Sequence, residues 1–138
     1  MPAPRRHLVL DTEAASVLLS AATRDAKRAA VFEAIAAANG HRVVPTAVRC
    51  EAWWDRTQPT SSNANRLVPD DDPLDRSGAS RDVHLRTVVP TASLVDAAVA
   101  VAAERLPSAD VVEVLTSDPG DLEALADNVE RAIEVRAI

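Results

Sequence analysis

The chain has 138 residues, 47% hydrophobic and 26% charged, with a formal net charge of −6, three glycines and one cysteine. This is the make-up of a single globular domain over residues 1–138 with a substantial core. It excludes a disordered or linker-rich array, a disulfide framework or cysteine-rich zinc site, and a broad basic surface that coats phosphates.

Leu8–Leu10 reads as a short buried strand. Arg5 and Arg6 precede it and Asp11 cuts it off, which leaves too brief an apolar stretch for a signal peptide. Thr12–Ala22 and Arg24–Asn39 are Ala-rich helices, the second closed by Gly40 as a C′ residue. Arg42–Pro45 is a second strand, and Thr46 caps a helix that carries Glu51, Trp53 and Trp54. Gln58–Pro73 holds three prolines and a Thr60-Ser61-Ser62-Asn63 cluster and reads as loop, with Arg66–Pro69 as a short edge strand. Pro73–Leu85 is a weak helix disturbed by Gly78. Ala92–Leu106 is a strong helix, Val111–Thr116 a strand, and Pro119–Asn128 a helix with proline at its first position. Ile133–Arg136 makes the last strand. Strands alternating with helices define an α/β fold, a parallel sheet of four to five strands covered on both faces. No run approaches the roughly 20 apolar residues of a membrane span, so a soluble, cytoplasmic protein without a membrane partner is expected.

Four acids stand where apolar runs end or are interrupted: Asp11, Glu51, Asp96 and Asp118. A carboxylate among aliphatic side chains is costly unless something pairs with it. Asp11 and Asp118 fall at the C-terminal ends of strands, the edge where open parallel sheets bind ligands. Glu51 and Asp96 lie on neighbouring helices that can reach the same edge. Carboxylates gathered there suit hard divalent cations, which prefer oxygen ligands, and point to metal-assisted hydrolysis. Each acid also has an ordinary structural use. Asp11 suits an N-cap, Glu51 an exposed helical position, Asp96 a capping box with Ser93, and Asp118 a cap for the helix starting at Pro119. Lys27 is the lone lysine, so the positive charge is arginine, the better residue for bidentate phosphate contacts.

The joint order of these segments resembles the PIN-domain family, most closely the VapC-type toxins of type II toxin–antitoxin systems. The matching pieces are Leu8-Val9-Leu10-Asp11-Thr12, Val44-Pro45-Thr46-Ala47-Val48-Arg49-Cys50-Glu51, Val95-Asp96-Ala97 with Val99-Ala100, and Val114-Leu115-Thr116-Ser117-Asp118-Pro119-Gly120-Asp121-Leu122. The last is the most specific. The resemblance implies a PIN-like twisted parallel sheet flanked by helices and a Mg²⁺- or Mn²⁺-dependent endoribonuclease that leaves a 5′-phosphate and a 3′-hydroxyl. Asp11, Glu51, Asp96 and Asp118 are then the acidic metal-binding and catalytic quartet. Thr12 and Thr116 support it, and Asp121 is an additional acid. The implied partners are an RNA substrate, a cognate antitoxin protein and a second copy in a homodimer.

Two features depart from that pattern. Glu13 stands where many relatives have Ser or Gly and places another charge, or a water-mediated metal contact, beside Asp11. Residues 58–85 are more broken by Pro, Gly and Asp than the helical segment usual in relatives. His7, His41 and His84 lack ligand-like spacing and are assigned surface or packing roles. Of the two tryptophans, one is expected to be partly exposed and to serve a partner or second subunit, where Trp is favoured. A haloacid-dehalogenase-like phosphohydrolase is the competing enzyme class, on Leu10-Asp11-Thr12-Glu13, but it expects Asp at 13 and a later Lys. A phosphoacceptor receiver domain also needs a late Lys. A catalytically silent PIN scaffold is the third alternative.

Overall fold

The computed structural model describes residues 3–20 and 25–138. Its centre is strand β1, Arg6–Leu10, whose Leu8-Val9-Leu10 run is fully buried. Helices α1 (Thr12–Leu19) and α2 (Ala26–Ala37) follow, then β2 (Arg42–Pro45) and α3 (Thr46–Glu51). A 3-10 turn at Pro59–Ser61 leads into α4 (Ser62–Leu67) and β3 (Asp70–Asp72). The second half contains α5 (Arg76–Val88), α6 (Leu94–Glu104), β4 (Val111–Thr116), α7 (Pro119–Ala126) and β5 (Glu134–Ala137).

All five strands are parallel, in the order β3-β2-β1-β4-β5. Val9 sits between Val43 and Val114 in register, and Leu10 opposite Leu115. The chain leaves β1 toward β2 on one side and reaches β4 on the other, so the order reverses between β1 and β4. Crevices at such reversals, beyond the C-terminal strand ends, are where open α/β sheets bind ligands. Buried Val and Leu of the strands pack with the small residues of α6, where Ala97 through Ala103 are all buried. Among the described residues no helix is long and apolar enough to cross a membrane.

Several local expectations are corrected. Helix α1 ends at Leu19 with Ser20 extended, and α2 starts at Ala26 behind Asp25, whose carboxylate accepts the Arg28 N–H at 2.8 Å. Residues 21–24, at the expected ends of these two helices, lie outside the described residues. Gly40 is no left-handed C′ residue, since no described glycine has a positive φ. It is small for another reason: a Cβ there would run into the His7 ring. His7 is fully buried, accepts the His41 N–H at Nδ1 (2.7 Å), and meets Asp110 through Nε2 (2.7 Å).

Thr46 does not cap α3. It is the first helical residue, and its hydroxyl accepts the Leu74 N–H. The stretch 58–73 is largely ordered into the 3-10 turn, α4 and β3. The edge strand lies at Asp70–Asp72 rather than Arg66–Pro69, because α4 continues through Leu67. Three aspartates can form a strand here because arginines and a histidine meet their side chains. Asp71 pairs with Arg49 and Arg56, Asp72 with Arg105, and Asp70 contacts His41. Helix α5 starts three residues later than expected, behind Asp75, which accepts the Gly78 N–H at 2.8 Å. Gly78 is buried inside the helix, where a Cβ would press on Arg105.

The tryptophans lie beyond α3 rather than in it. Trp53 has φ 58° and is 91% exposed, whereas Trp54 is 2% exposed. The Trp54 indole N–H donates to Asn65 Oδ1 at 2.9 Å, and the Arg56 guanidinium lies over its ring. Left-handed backbone costs a non-glycine residue about 1–2 kcal/mol, and Trp53 has little burial to offset it. We therefore expect Trp53→Gly to leave stability unchanged or raise it by up to about 1 kcal/mol. Trp54→Ala should lose about 3–5 kcal/mol. Urea denaturation of both variants checks this, and a large loss in the Trp53 variant would show that the indole is structurally needed.

Candidate metal centre

The reversal between β1 and β4 brings three helix starts to one edge. Asp11 is the N-cap of α1, directly after β1, and its Oδ1 accepts the Ala14 N–H at 2.9 Å. Its Oδ2 accepts the Ser117 N–H at 3.0 Å, just past β4. Thr116 is fully buried between the two segments. Its hydroxyl accepts the Asp118 N–H at 2.9 Å and favours the charged form of Asp11. Asp118 in turn caps α7, taking the Asp121 N–H at 3.4 Å. Asp96 is the third residue of α6 and closes a reciprocal capping box with Ser93.

Three of these carboxylates converge. Asp96, Asp118 and Asp121 each offer an oxygen, and the three oxygens lie within 4.8 Å of one another. Asp11 is tied to the same loop through Ser117 and Thr116 but is not in that trio. Glu51, the last residue of α3, is exposed and also stands outside it. Glu13 is ion-paired with Lys27 at 3.0 Å, and its charge acts on Asp11. The Thr12 hydroxyl is buried without a hydrogen-bond partner among the described residues. Asp121, secondary in the sequence reading, is thus a full member of the cluster. Sequence reasoning missed Thr91, whose hydroxyl donates to Asp121 Oδ1 at 2.8 Å. Nothing in an isolated Pro90-Thr91 pair signals a contact thirty positions away.

Crowding and burial mark the acids electrostatically. Burial pushes the Asp96 carboxyl above its ordinary range, against the bonds from Ser93 and with help from the charges of Asp118 and Asp121. Asp11 is also raised, mainly by burial. The Ala14 N–H, the Thr116 hydroxyl and the Ser117 N–H pull it back down, and Glu13 pushes it up. The donor set is carboxylate oxygen throughout, which fits a hard cation such as Mg²⁺ or Mn²⁺.

No protein-family model and no curated protein sequence matches the chain. Among solved structures it superposes on a chain of FitAB bound to an IR36 DNA fragment. The TM-score is 0.57 and the identity 17%, over 93% of this chain and 94% of that one. At that identity the likeness is one of fold, and the fold is PIN-like: a five-stranded, all-parallel sheet flanked by helices.

The raised Asp96 pKa carries a sign. A carboxyl that holds its proton more tightly folded than unfolded makes the folded state lose stability as pH rises, from the ordinary carboxylate range through the raised value. Below that range the penalty is absent and the stability is fully present. Asp96→Asn removes this titration, so the metal-free variant should melt at or above the wild-type temperature at neutral pH. The difference should close in acid. Calorimetry in chelator across pH 3–7 checks it, since a variant that melts lower at neutral pH would contradict the like-charge crowding.

Proposed function

We propose that the protein is a Mg²⁺- or Mn²⁺-dependent endoribonuclease, the VapC-type toxin of a toxin–antitoxin pair. The observation that carries this reading is the convergence of Asp96, Asp118 and Asp121 at the sheet reversal, with Asp11 bonded to the same loop. The PIN-like fold, shared with a chain of FitAB solved bound to a DNA fragment, supports it.

Asp96, Asp118 and Asp121 would hold the cation, and Asp11 would complete the negative wall of the site. Glu51, exposed at the end of α3, would be the remaining acid of the proposed quartet. When bound, such an ion supplies a water of lowered pKa and offsets charge on the phosphoryl and leaving oxygens during in-line displacement. The protein's own part is placement. The helix amides and Thr116 fix the carboxylates in position before a strand arrives, so little reorganisation is needed during reaction. Neither His7 nor His41 takes a role as base: His7 is consumed by Asp110 and the His41 N–H, and His41 lies beside it with Asp70.

Asp96→Asn and Asp118→Asn should each abolish Mg²⁺-dependent cleavage of single-stranded RNA, leaving at most about 1% of wild-type activity, a loss of at least ~3 kcal/mol in transition-state stabilisation. Fluorescent RNA assays with and without chelator test this. Undiminished cleavage in either purified variant would sink the assignment, and no cleavage by the wild-type protein would favour a silent PIN scaffold.

Trp53 fits the partner side of the proposal. It flanks a shallow concavity with Thr46, Arg49, Cys50, Trp54 and Asp55, and so exposed an indole is a natural anchor for an antitoxin or for the second copy of a homodimer. Losing such an anchor costs roughly 2 kcal/mol of binding. Trp53→Ala should therefore weaken association about thirtyfold and leave metal binding intact. Sedimentation and titration with the antitoxin measure this, and unchanged affinity in both would make Trp53 a bystander.

A further inference from the structure

We infer that Thr91 is a positioning residue for the metal centre: its hydroxyl sets the carboxylate of Asp121 so that the α5–α6 turn completes a site otherwise built from α6 and α7. The inference rests on the metal reading of Asp96, Asp118 and Asp121 proposed above.

The turn that presents Thr91 is braced on both sides. Val89 and Ala92 are buried, the Ala92 N–H donates to the Val89 carbonyl at 3.1 Å, and the Val89 N–H donates to Leu85 at 2.8 Å. Pro90 fixes its own φ between them. Thr91 is therefore exposed as a residue on a backbone with little freedom, and its β-branched side chain has few rotamers. Its hydroxyl can donate as well as accept, whereas a carboxylate only accepts, so the 2.8 Å contact with Asp121 Oδ1 has a defined polarity.

Asp121 needs such a partner more than its neighbours do. Asp96 is held by the Ser93 N–H and Asp118 by the Asp121 N–H, both through helix-end backbone. The carboxylate of Asp121 has no backbone donor among the described residues. Without Thr91 it would be a solvated side chain in the first turn of α7, free to rotate away from two like charges. The hydroxyl occupies Oδ1 and leaves Oδ2 without a hydrogen bond from the described residues. A group that orients a ligand from outside the coordination sphere typically changes metal affinity 10–100-fold.

The test is Mn²⁺ binding by the full chain, followed by the loss of the free-ion electron paramagnetic resonance signal, with the melting temperature measured in parallel. Thr91→Val keeps the shape and removes the donor, and should bind Mn²⁺ about tenfold more weakly with an unchanged metal-free melting temperature. Thr91→Ser restores the hydroxyl and should recover wild-type affinity to within about twofold. In an Asp121→Ala background, Thr91→Val should have no further effect. The inference is overturned if Thr91→Val binds like wild type, if Thr91→Ser is as weak as Thr91→Val, or if Thr91→Val still weakens binding in the Asp121→Ala background. Failure of the underlying reading looks different: wild type and Asp118→Asn would then be indistinguishable in Mn²⁺ binding, and both conclusions would fall together.

Discussion

Carboxylates at close quarters repel one another, and a fold that gathers them must supply compensating positive charge before any cation arrives. Here that charge is the backbone. Asp11 caps α1, Asp118 caps α7, and Asp96 and Asp121 are each the third residue of a helix. All four therefore sit at helix N-termini, where unpaired N–H groups and the helix dipole favour negative charge. The capping role and the proposed metal-binding role are the same arrangement seen at two levels. Three helices begin at one sheet edge, each beginning calls for an acidic or hydroxyl side chain, and the sheet order brings the beginnings together.

That convergence depends on close packing behind it. Helix α6 has no polar face along Ala97–Ala103, and it packs against α5, α7 and α3 as well as against the central strands. Alanine and valine let these neighbours approach closely, which an aromatic-rich helix would prevent. The scarcity of aromatic residues is thus tied to the site, because thin side chains let α6 lie near the end of β4 and bring Asp96 to Asp118. At the opposite end of the sheet the His7–Gly40 contact plays a similar part. A fully buried imidazole bridges the Asp110 side chain and the His41 backbone, and only a residue without a side chain fits over its ring.

Legibility in the sequence follows from how local each signal is. The β1, β2 and β4 strands and the α6 and α7 helices were readable because apolar runs and capping residues are local. The capping alternatives for Asp11, Asp96 and Asp118 all describe real hydrogen bonds. Strand β3 carries no local signal because an Asp-Asp-Asp stretch has no apolar signature. Its neutralising partners Arg49, Arg56 and Arg105 come from distant positions. The tryptophans were placed in a helix because nothing in Cys50-Glu51-Ala52 forecasts the left-handed turn at Trp53. At the site, chain order could place acids near one edge but could not say which side chains meet. That Asp121 joins Asp96 and Asp118 while Glu51 stands apart is a matter of side-chain geometry.

The arginines change meaning once the fold is known. Read along the chain, they look like a reserve of phosphate-binding groups. In three dimensions many are already engaged. Arg49 and Arg56 hold Asp71, Arg105 holds Asp72 and Asp75, Arg81 grips Glu104 at two points, and Arg6 bridges Glu113 and Glu134. Arg131 is spent on the carbonyls of Leu106, Pro107 and Asp110. Counterion release scales with the phosphates a protein neutralises, and in a chain of net charge −6 these six guanidinium groups are already committed. In the proposed nuclease, a strand would therefore be held mainly at a cation on Asp96, Asp118 and Asp121 and by local contacts near it, rather than by a wide electrostatic surface. On that proposal the metal centre would supply binding as well as chemistry, which makes the orientation of each of its carboxylates count for more than it would on a basic scaffold.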